Sequence, residues 1–375
     1  MRILQIVKSM DLHPGQFSTT LSGFISSLSN HNIACDIVSG ASHDTHEPER
    51  FLANEVVSID EDQPIEALRA ISPLVRRADV IHIHCPKTPV ATIVSAAAKG
   101  EDKPVVFSTH GSLTSHLRNR GKVSLWFENR RLNKKFRWAK GITCLNNRES
   151  ELLNQRGLRL NATPIPVGCD FSNENGLDAD QTQTEKLPLG DGKRILAYFG
   201  DIDGQLGLVP FFKACDELED ELDSWRIIIA GRPIDNWLEL FQAGARRHGK
   251  EHLGEFVVFP NYDQQRSILD AAELVALPTI SPSLPNAILW AMWHGKATIA
   301  SSALEIAGLE NAEAGAVVEP TRKGILPSLR KLVTASPDEL KAMGQNGAKF
   351  VRDCYSWETI IPQYIDMYRN ASNAG

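Results

Sequence analysis

The chain has little cysteine for its length. Its 375 residues include six cysteines, and none of them forms a Cys-x-x-Cys pair or stands at a ligand-like spacing from histidine. This scatter excludes a disulfide framework and a structural zinc site, and it is typical of a protein from a reducing cytosol. Most of the cysteines fall in apolar runs, so we expect them to be small buried side chains. The six are Cys35, Cys85, Cys144, Cys169, Cys215 and Cys354.

Long, purely apolar runs are also missing. The N-terminal segment MRILQIVKSMDLHPG has too short an apolar run for a secretory signal and no small-residue cleavage site. One stretch of 22 residues without a charged side chain, LVALPTISPSLPNAILWAMWHG at 274–295, contains Pro278, Pro282 and Pro285, which would break a membrane helix. We therefore expect a cytoplasmic protein, with any membrane contact made peripherally at the inner face of the membrane.

Acidic residues are scarce in one part of the chain. The net charge is −6, yet residues 1–170 carry 21 Lys and Arg against 17 Asp and Glu, which leaves 19 against 29 in the remainder. Between Arg118 and Lys140, nine basic residues occur with Glu128 as the only acid. Such a basic segment, 118–140, is typical either of a face that meets an anionic membrane surface or a lipid diphosphate, or of a solvated helix face. We expect no nucleic-acid partner.

Short apolar runs alternate with helical patterns along the whole chain. Because the helical patterns between the runs span ten or more residues, the alternation predicts parallel sheets with helices on both faces. Twelve strands are predicted: 3–7, 33–38, 80–84, 104–108, 141–145 and 163–167, then 195–199, 226–231, 256–259, 274–278, 297–300 and 314–319.

The alternation stops at a polar segment, FSNENGLDADQTQTEKLPLGDGK, between Phe171 and Lys193. A break of this composition is typical of a linker between domains. We therefore predict an α/β protein with two doubly wound, Rossmann-like parallel-sheet domains, 1–185 and 186–355, that face a central cleft. A last helix, at about 356–375, is expected to pack back onto the first domain. The carboxyl ends of the strands are where such folds bind ligands.

Nine segments follow one another in an order that resembles glycosyltransferase family 4, whose members are retaining enzymes of the GT-B fold. In the first half they are PGQFSTTLSGFISSLSNHNIACDIVS, DVIHIH, STHG, TCLNNRESELLNQRGL and IPVGCDF. In the second half they are YFGDIDGQLGL, IIIAGRP, the stretch 274–295 and YSWETIIPQY. The resemblance covers nearly the whole chain. It implies transfer of a sugar from a nucleotide-diphosphate sugar to a lipid-linked or saccharide acceptor, with no metal ion and no other cofactor.

In that family, four charged side chains serve the sugar donor. An Arg and a Lys five residues apart neutralise the diphosphate, and two Glu eight residues apart lie near the donor sugar and the ribose. Cations at these positions stabilise the charge of a departing diphosphate. This sequence departs from the pattern at all four positions, which hold Asp201, Leu206, Pro282 and Trp290. Asp201 would place an anion beside the anionic leaving group.

Backbone groups remain on the donor side. The resemblance places Gly200 and Gly231 in loops that approach the donor, although both also fit ordinary turn glycines. The segment PNAIL is predicted to open a helix whose first residues, Asn286 and Ala287, direct their N–H groups at an anion. Arg232 is either a compensating cation or a surface arginine.

The first domain keeps more of the family pattern. Gly15 lies in the loop after the first strand, where the resemblance brings the backbone near the donor or acceptor and makes Gly15 a donor-binding residue, and Gln16 takes the place of a second glycine on the acceptor side. The resemblance makes His110, in STHG, the candidate catalytic residue, which faces the donor sugar. Glu149 either caps a helix or contacts a ligand on the acceptor side. The two histidines of VIHIH are expected in the core or at the cleft edge, and no group of residues has the spacing of a metal site.

Three hypotheses remain open. In the first, the chain is an active transferase that builds a cell-surface polysaccharide or glycolipid. Front-face retaining transfer needs no protein nucleophile, so a missing glutamate is less damaging than it would be in a glycosidase. In the second, it is a catalytically inactive relative that serves as a binding subunit, for example of a partner glycosyltransferase, which explains the four substitutions together. In the third, it uses an unusual donor that stacks on Trp290 or Trp293. The enzyme class predicted by the resemblance is glycosyltransferase.

Overall fold

The computed structural model of the chain describes residues 1–8, 10, 18–40, 52–84, 86–114, 122–158, 160–171, 189, 192–204, 207–258, 260, 262–280 and 285–373. The chain forms two compact units. The first contains Met1–Asp170 and Tyr355–Gly375, and the second contains Phe171–Ser281 and Pro285–Cys354. The predicted boundary between residues 185 and 186 lies outside the described residues.

Seven parallel strands form the sheet of the first unit. They are β1 (Arg2–Val7), β2 (Ala34–Ser39), β3 (Glu55–Ser58), β4 (Val80–Ile83), β5 (Val105–Ser108), β6 (Gly141–Cys144) and β7 (Thr163–Pro164). Their order across the sheet is β3-β2-β1-β4-β5-β6-β7. The helices between them are α1 (Ser18–Asn30), α2 (Pro64–Arg77), α3 (Pro89–Gly100), α4 (Lys122–Phe136) and α5 (Asn147–Gln155).

The second unit is built in the same way around six parallel strands. They are β8 (Arg194–Phe199), β9 (Trp225–Gly231), β10 (Glu255–Val258), β11 (Ala272–Leu277), β12 (Ala297–Ser301) and β13 (Ala316–Val318), in the order β10-β9-β8-β11-β12-β13. Its helices are α6 (Leu208–Glu217), α7 (Trp237–His248), α8 (Tyr262–Ala271), α9 (Asn286–Trp293), α10 (Arg322–Val333) and α11 (Pro337–Tyr355).

The last helix, α12 (Trp357–Asn373), packs against α1 within the first unit. Its apolar residues recur at intervals of three and four, which places them on one face. Trp357, Tyr364 and Tyr368 on this face are buried. The ring of Phe24 in α1 lies 4.9 Å from that of Trp357 and 5.1 Å from that of Tyr364, measured between centroids. Because each buried aromatic side chain contributes roughly 2–3 kcal/mol, this helix is an integral part of the core.

The predicted fold class is confirmed, since both sheets are parallel and doubly wound. Each of the twelve predicted strands overlaps a strand of the structure, and β7 is shorter than predicted. The strand that the sequence did not predict is β3, whose four residues, EVVS, include only two apolar side chains. The strand order reverses between β1 and β4 and again between β8 and β11, and open α/β sheets bind ligands at the carboxyl ends of such strands.

The charge-free stretch 274–295 consists mainly of buried structure. It includes most of β11 and all of α9, whose residues from Asn286 to Met292 are buried. Burial of consecutive residues on every side of a short helix explains why no charged side chain is present there. No helix in the described ranges has both the length and the apolar character that crossing a membrane would require.

Candidate active site

The turn after β5 places His110 at the carboxyl edge of the first sheet. β5 ends at Ser108, and His110 and Gly111 then adopt left-handed φ angles of 46° and 76°. Glycine adopts this conformation freely, whereas for a histidine it costs about 1–2 kcal/mol. Strain of this kind persists only where the surrounding contacts fix the backbone. Contacts from neighbouring residues must therefore hold this turn in place.

Glu149 supplies those contacts. Its Oε1 accepts hydrogen bonds from the hydroxyl of Thr109 at 2.6 Å and from N of Gly111 at 2.8 Å, and its Oε2 accepts from N of Leu145 at 2.8 Å. The N–H of Glu149 donates to the side chain of Asn146, the N-cap of α5, at 2.8 Å. The residue is 0% exposed, and burial raises the pKa of its carboxyl group. Glu149 thus holds the His110 turn and the start of α5 from inside the protein.

His110 lies beside a second histidine, at the end of the neighbouring strand. Nε2 of His110 is 2.9 Å from Nδ1 of His84, the residue directly after β4. Nε2 of His84 is in turn 2.8 Å from Oε1 of Gln5, in the middle of β1. Because β1, β4 and β5 are neighbours in the sheet, these side chains form a linked polar row at the point where the strand order reverses.

The polar row continues from Gln5 to the terminal helix, α12, and from there returns through His82 to β5 and β6. Nε2 of Gln5 is 3.5 Å from the hydroxyl of Tyr368 in α12, and that hydroxyl is 2.6 Å from Nδ1 of His82. Nε2 of His82 is 2.7 Å from Oγ of Ser108, which is 2.6 Å from Oγ1 of Thr143 on β6. Sequence reasoning did not identify this row. The available signal was a polar residue, such as Gln5, in the middle of an otherwise apolar strand.

The three histidines of the row are neutral at physiological pH. Burial lowers the pKa of His110 to about 3, and it lowers the pKa of His82 and of His84 well below the ordinary value, with the neighbouring histidines adding to the effect. Neutral imidazole rings carry one donor and one acceptor nitrogen each. The carboxyl edge of the first sheet therefore offers hydrogen bonds from these rings rather than positive charge.

Asp201 and Arg232 form an ion pair at the carboxyl ends of β8 and β9. Nη2 of Arg232 is 3.1 Å from Oδ2 of Asp201, and N of Ile202 donates to the carbonyl oxygen of Arg232 at 2.8 Å. Both side chains are at least a third exposed, so the pair contributes roughly 0–1 kcal/mol. The cation that the sequence offered as compensation is thus balanced by Asp201. The buried Nε of Arg232 has no hydrogen-bond acceptor among the described residues.

Close packing of the backbone requires glycine at two positions near the same strand ends, Gly231 and Gly207. A Cβ atom on Gly231 would lie 1.8 Å from the carbonyl oxygen of Gly200, and one on Gly207 would lie 1.7 Å from the carbonyl oxygen of Pro278. Gly207 also has a left-handed φ of 76° and precedes α6 directly. Close approach of these loops requires glycine at both positions, whether or not a ligand binds.

Helix α9 begins at this edge of the second sheet. The N–H groups of Asn286, Ala287 and Ile288, in its first turn, have no acceptor within the helix, which makes its N-terminus a potential anion site. Trp290 is 6% exposed, and its ring centroid lies 5.4 Å from that of Phe199. Trp290 is therefore a core residue that leaves little face for a stacked donor base or a partner protein.

The other tryptophan considered for stacking, Trp293, has a neighbour over its ring. The guanidinium of Arg352 lies 5.0 Å from the ring centroid of Trp293, and the ring of Phe171 meets it edge-on at 5.9 Å. Four predicted site residues, Gly15, Gln16, Leu206 and Pro282, lie outside the described residues. Within the described ranges, no three His, Cys, Asp or Glu side chains are grouped as a metal site would require.

Helix α4, in the basic segment, has an exposed stripe of apolar and cationic side chains. Val123, Trp126 and Phe127 are 71%, 55% and 57% exposed. Arg130 and Lys134 are also exposed, and at 3.6 residues per turn they continue the same face of the helix. We call these five residues the α4 stripe. The sequence predicted the cations on this face but not the exposed aromatic side chains.

The opposite side of α4 faces the protein. Leu132 and Phe136 are buried. Glu128, the single acid of segment 118–140, lies 2.6 Å from the guanidinium of Arg156, so its charge is balanced inside the protein. Lys135 donates to a backbone carbonyl at 2.8 Å, and burial, with Arg131 nearby, lowers its pKa to about 8. The exposed charge of the helix is therefore positive, and Lys135 contributes little to it.

Two family models match the chain in tandem. The model described as Glycosyltransferase Family 4 matches residues 23–173, and the model described as Glycosyl transferases group 1 matches residues 193–334. Two similar proteins are the GDP-mannose:cellobiosyl-diphosphopolyprenol alpha-mannosyltransferases of Xanthomonas oryzae pv. oryzae (strain PXO99A) and Xanthomonas campestris. Each is 23% identical to this chain, over 308 and 302 residues, which is 79% of this chain and 75% of the relative.

Solved structures show the same fold. HepE of Anabaena, in complex with UDP-glucose, aligns with a TM-score of 0.73 and 16% identity over 98% of each chain. Sucrose-phosphate synthase from Thermosynechococcus elongatus aligns with a TM-score of 0.72 and 14% identity over 100% of each chain. At these identities the similarity shows the fold alone.

Proposed function

Because the chain belongs to glycosyltransferase family 4, we propose that this glycosyltransferase transfers mannose from GDP-mannose to a saccharide carried on a polyprenyl diphosphate. The observation that carries the proposal is the similarity to mannosyltransferases that act on cellobiosyl-diphosphopolyprenol, over a length that spans both units. We propose further that transfer retains the anomeric configuration and needs neither a metal ion nor another cofactor, as the family resemblance implies.

The donor diphosphate would be bound mainly by backbone groups. Negative charge grows on GDP as it leaves, and helix N-termini and cations stabilise such charge. The first N–H groups of α9, from Asn286 and Ala287, are suited to this task. Arg232 becomes a phosphate ligand only by exchanging Asp201 for the diphosphate. Donor binding is therefore expected to be weaker than in a site with two uncompensated cations.

His110 would act as a neutral hydrogen-bonding residue toward the donor sugar. Its strained backbone and its fixed ring are the features of a residue held for contact with a ligand. A neutral imidazole accepts a hydrogen bond from a sugar hydroxyl without adding charge. Front-face transfer then proceeds without a protein nucleophile, so the absence of a Glu at position 282 is tolerated.

A second candidate function is that of a non-catalytic subunit. Two observations favour it: Asp201 neutralises Arg232 at the donor edge, and Trp290 fills with core packing a position where the family has a ribose-binding carboxylate. In that case the chain would bind a partner glycosyltransferase or its lipid-linked substrate, and would release no GDP of its own.

Transfer assays separate these candidates. The protein is mixed with GDP-mannose and a polyprenyl-diphosphate-linked disaccharide in vesicles, with EDTA present. We expect a lipid carrying one more hexose, whose α linkage is checked by NMR, and loss of this product in His110→Ala but not in the exposed-residue control Arg247→Ala. Calorimetry with GDP and UDP is done in parallel. Nucleotide binding without product would support the non-catalytic subunit, and no nucleotide binding at all would reject the enzyme proposal.

We also propose that the α4 stripe docks on an anionic lipid surface, where the lipid-linked acceptor resides. Amphipathic helices bind such surfaces by inserting apolar side chains and pairing cations with headgroups. Val123, Trp126 and Phe127 supply the apolar part, while Arg130 and Lys134 supply the charge. Tryptophan favours the membrane–water interface because its ring is amphipathic.

Flotation on vesicles tests this surface. We expect binding to vesicles that contain phosphatidylglycerol, and weaker binding at high salt. Arg130→Glu with Lys134→Glu should reduce binding at least fivefold for each cation removed, at about 1 kcal/mol per cation. Trp126→Ala with Phe127→Ala should also reduce it. A double reversal of exposed cations elsewhere, Arg247→Glu with Lys341→Glu, is the matched control. Equal losses in the control and the stripe variants would reject the α4 stripe as the docking surface.

A further inference from the structure

The side-chain amide of Gln5 determines where the proton of His84 is placed. Oε1 of Gln5 only accepts hydrogen bonds, and it lies 2.8 Å from Nε2 of His84. Nε2 of His84 must therefore carry the hydrogen. In a neutral ring this leaves Nδ1 of His84 without one, as an acceptor. His84 is 1% exposed and Gln5 is 0% exposed, so bulk water does not compete for either group.

The proton of His110 follows from that of His84. Nε2 of His110 is 2.9 Å from the acceptor nitrogen Nδ1 of His84, and the two rings are nearly parallel, at 10°. A hydrogen bond at this position requires Nε2 of His110 to donate. His110 is therefore the Nε2–H tautomer, and Nδ1 is its acceptor nitrogen.

The other half of the row agrees with this orientation of the Gln5 amide. Nε2 of Gln5 donates to the hydroxyl of Tyr368 at 3.5 Å, and that hydroxyl is then free to donate to Nδ1 of His82 at 2.6 Å. Nε2 of His82 in turn donates to Ser108 at 2.7 Å. Donation runs in one direction through all of these groups, from His110 toward Ser108. Reversing the Gln5 amide would reverse donation at every bond of the row and would make His110 the Nδ1–H tautomer instead.

We propose that Gln5 and Tyr368 are positioning residues, which fix His110 as the Nε2–H tautomer so that its Nδ1 accepts a hydrogen bond from a hydroxyl group of the substrate. The contact with substrate rests on the proposed function, whereas the tautomer does not. The neutral state of the buried rings supports the same assignment, because a protonated ring would have no acceptor nitrogen. A residue of the terminal helix thus acts on a residue in the turn after β5.

Nitrogen NMR of the full-length protein tests the tautomer without any ligand. Histidine labelled with ¹⁵N gives long-range correlations that distinguish protonated from unprotonated ring nitrogens, and His110→Gln assigns the signal. At neutral pH we expect Nε2 of His110 to be protonated and Nδ1 to be unprotonated. Protonation of Nδ1 instead would overturn the proposal.

Variants test which residues set that tautomer. Gln5→Met keeps the volume but removes the acceptor, so the His110 signal should shift to a mixture of tautomers. Tyr368→Phe should produce a smaller shift, because the amide of Gln5 loses its orienting partner. Cys35→Ala is the control, since Sγ of Cys35 contacts the same amide at 4.0 Å but lies outside the row. An unchanged spectrum in Gln5→Met excludes Gln5 as the positioning residue, and one in Tyr368→Phe excludes the terminal helix.

Activity provides a separate readout. With GDP-mannose as the donor, Gln5→Met should lower kcat/KM by about 2- to 13-fold, the equivalent of one hydrogen bond between neutral groups. Cys35→Ala should leave kcat/KM unchanged. If the wild-type protein shows the expected tautomer but no turnover, the proposed function fails while the positioning role remains. If turnover is normal in Gln5→Met although the tautomer is mixed, Nδ1 of His110 does not contact the substrate.

Discussion

The carboxyl edges of the two sheets carry different kinds of side chain. In the first unit, uncharged polar side chains from β1, β4, β5, β6 and α12 meet in one hydrogen-bonded row. In the second unit, the corresponding edge has an exposed ion pair, close-packed glycines and a helix of buried apolar residues. The family pattern places most charge work in the second unit. In the described part of this chain, the linked polar side chains lie in the first unit. The second unit offers mainly the backbone N–H groups at the start of α9.

The two units should differ most in how their free energies of unfolding respond to acid. His82, His84 and His110 have lower pKa values in the folded protein than the ordinary 6.5, so below pH 6.5 the unfolded chain binds more protons and the free energy of unfolding falls. Each ring whose folded-state pKa lies below the pH contributes up to about 1.4 kcal/mol per pH unit below pH 6.5. Glu149, whose pKa is raised by burial, opposes the trend as a single group.

Fluorine NMR of 5-fluorotryptophan in urea measures this response, because Trp357 reports on the first unit and Trp225 on the second. We expect the midpoint for Trp357 to fall steeply from pH 7 to pH 5. His82→Gln should make the dependence shallower, and His31→Gln, an exposed control, should not. A stability of the first unit that is constant over this range would contradict the assignment of neutral buried rings.

Trp290→Glu should have the next largest effect, on the second unit. Removing the indole from its packing against Phe199 costs about 3–5 kcal/mol, and the new carboxyl group would be buried. The substitution restores the family residue, yet we expect a lower urea midpoint for Trp225 and no gain in nucleotide binding. Trp290→Phe, which keeps an aromatic ring, should lose less. A stable Trp290→Glu protein that binds GDP would show that position 290 lines a pocket.

Glu149→Ala should lower the stability of the first unit by about 3 kcal/mol. Three donors, the hydroxyl of Thr109 and the N–H groups of Gly111 and Leu145, would lose their acceptor, and each loss costs about 1 kcal/mol or more. Urea unfolding read from Trp357 measures the change. Glu149→Gln keeps one acceptor oxygen and should lose less. If the two variants were equally stable, the carboxylate would not be what holds the His110 turn.

The smallest effect is expected at the ion pair. Asp201→Asn removes an anion and releases Arg232, so GDP should bind more tightly by about 1 kcal/mol, or roughly fivefold in Kd. Calorimetry with GDP and UDP measures the change. Arg232→Ala should weaken binding, in the opposite direction. Weaker binding in Asp201→Asn would mean that Asp201 itself holds the donor, or that Arg232 needs it for orientation.

Local patterns were enough to predict most of the fold. The alternation of apolar runs predicted both parallel sheets, and the intervals in YSWETIIPQYIDMY predicted α12. The pattern failed at β3, because an edge strand with two apolar residues does not stand out from a loop. The function class followed from the order of the motifs. That His110 is a residue of interest also followed from its motif, and its contact with a donor stays a prediction.

Contacts between residues that are distant in the sequence could not be predicted from local patterns. Gln5 and Tyr368 are 363 positions apart, and Asp201 and Arg232 are 31 apart, so no local period links them. Trp290 was considered as a binding surface because its sequence neighbours give no measure of burial. The exposed aromatic side chains of the α4 stripe were missed for a related reason. The charge of segment 118–140 showed that the segment is basic, but it gave no measure of which apolar side chains of α4 are exposed.

The discontinuity of the first unit sets an order for its assembly on the ribosome. Residues 1–170 emerge first, but α12 follows only after residues 171–354 have been made. Domains usually fold as units from the N-terminus during synthesis. Here the second unit is complete in the nascent chain while the first still lacks the helix that covers Phe24 and completes its polar row. The first half of the chain therefore exposes an apolar surface until translation ends. We expect ribosome-associated chaperones to bind that surface during synthesis.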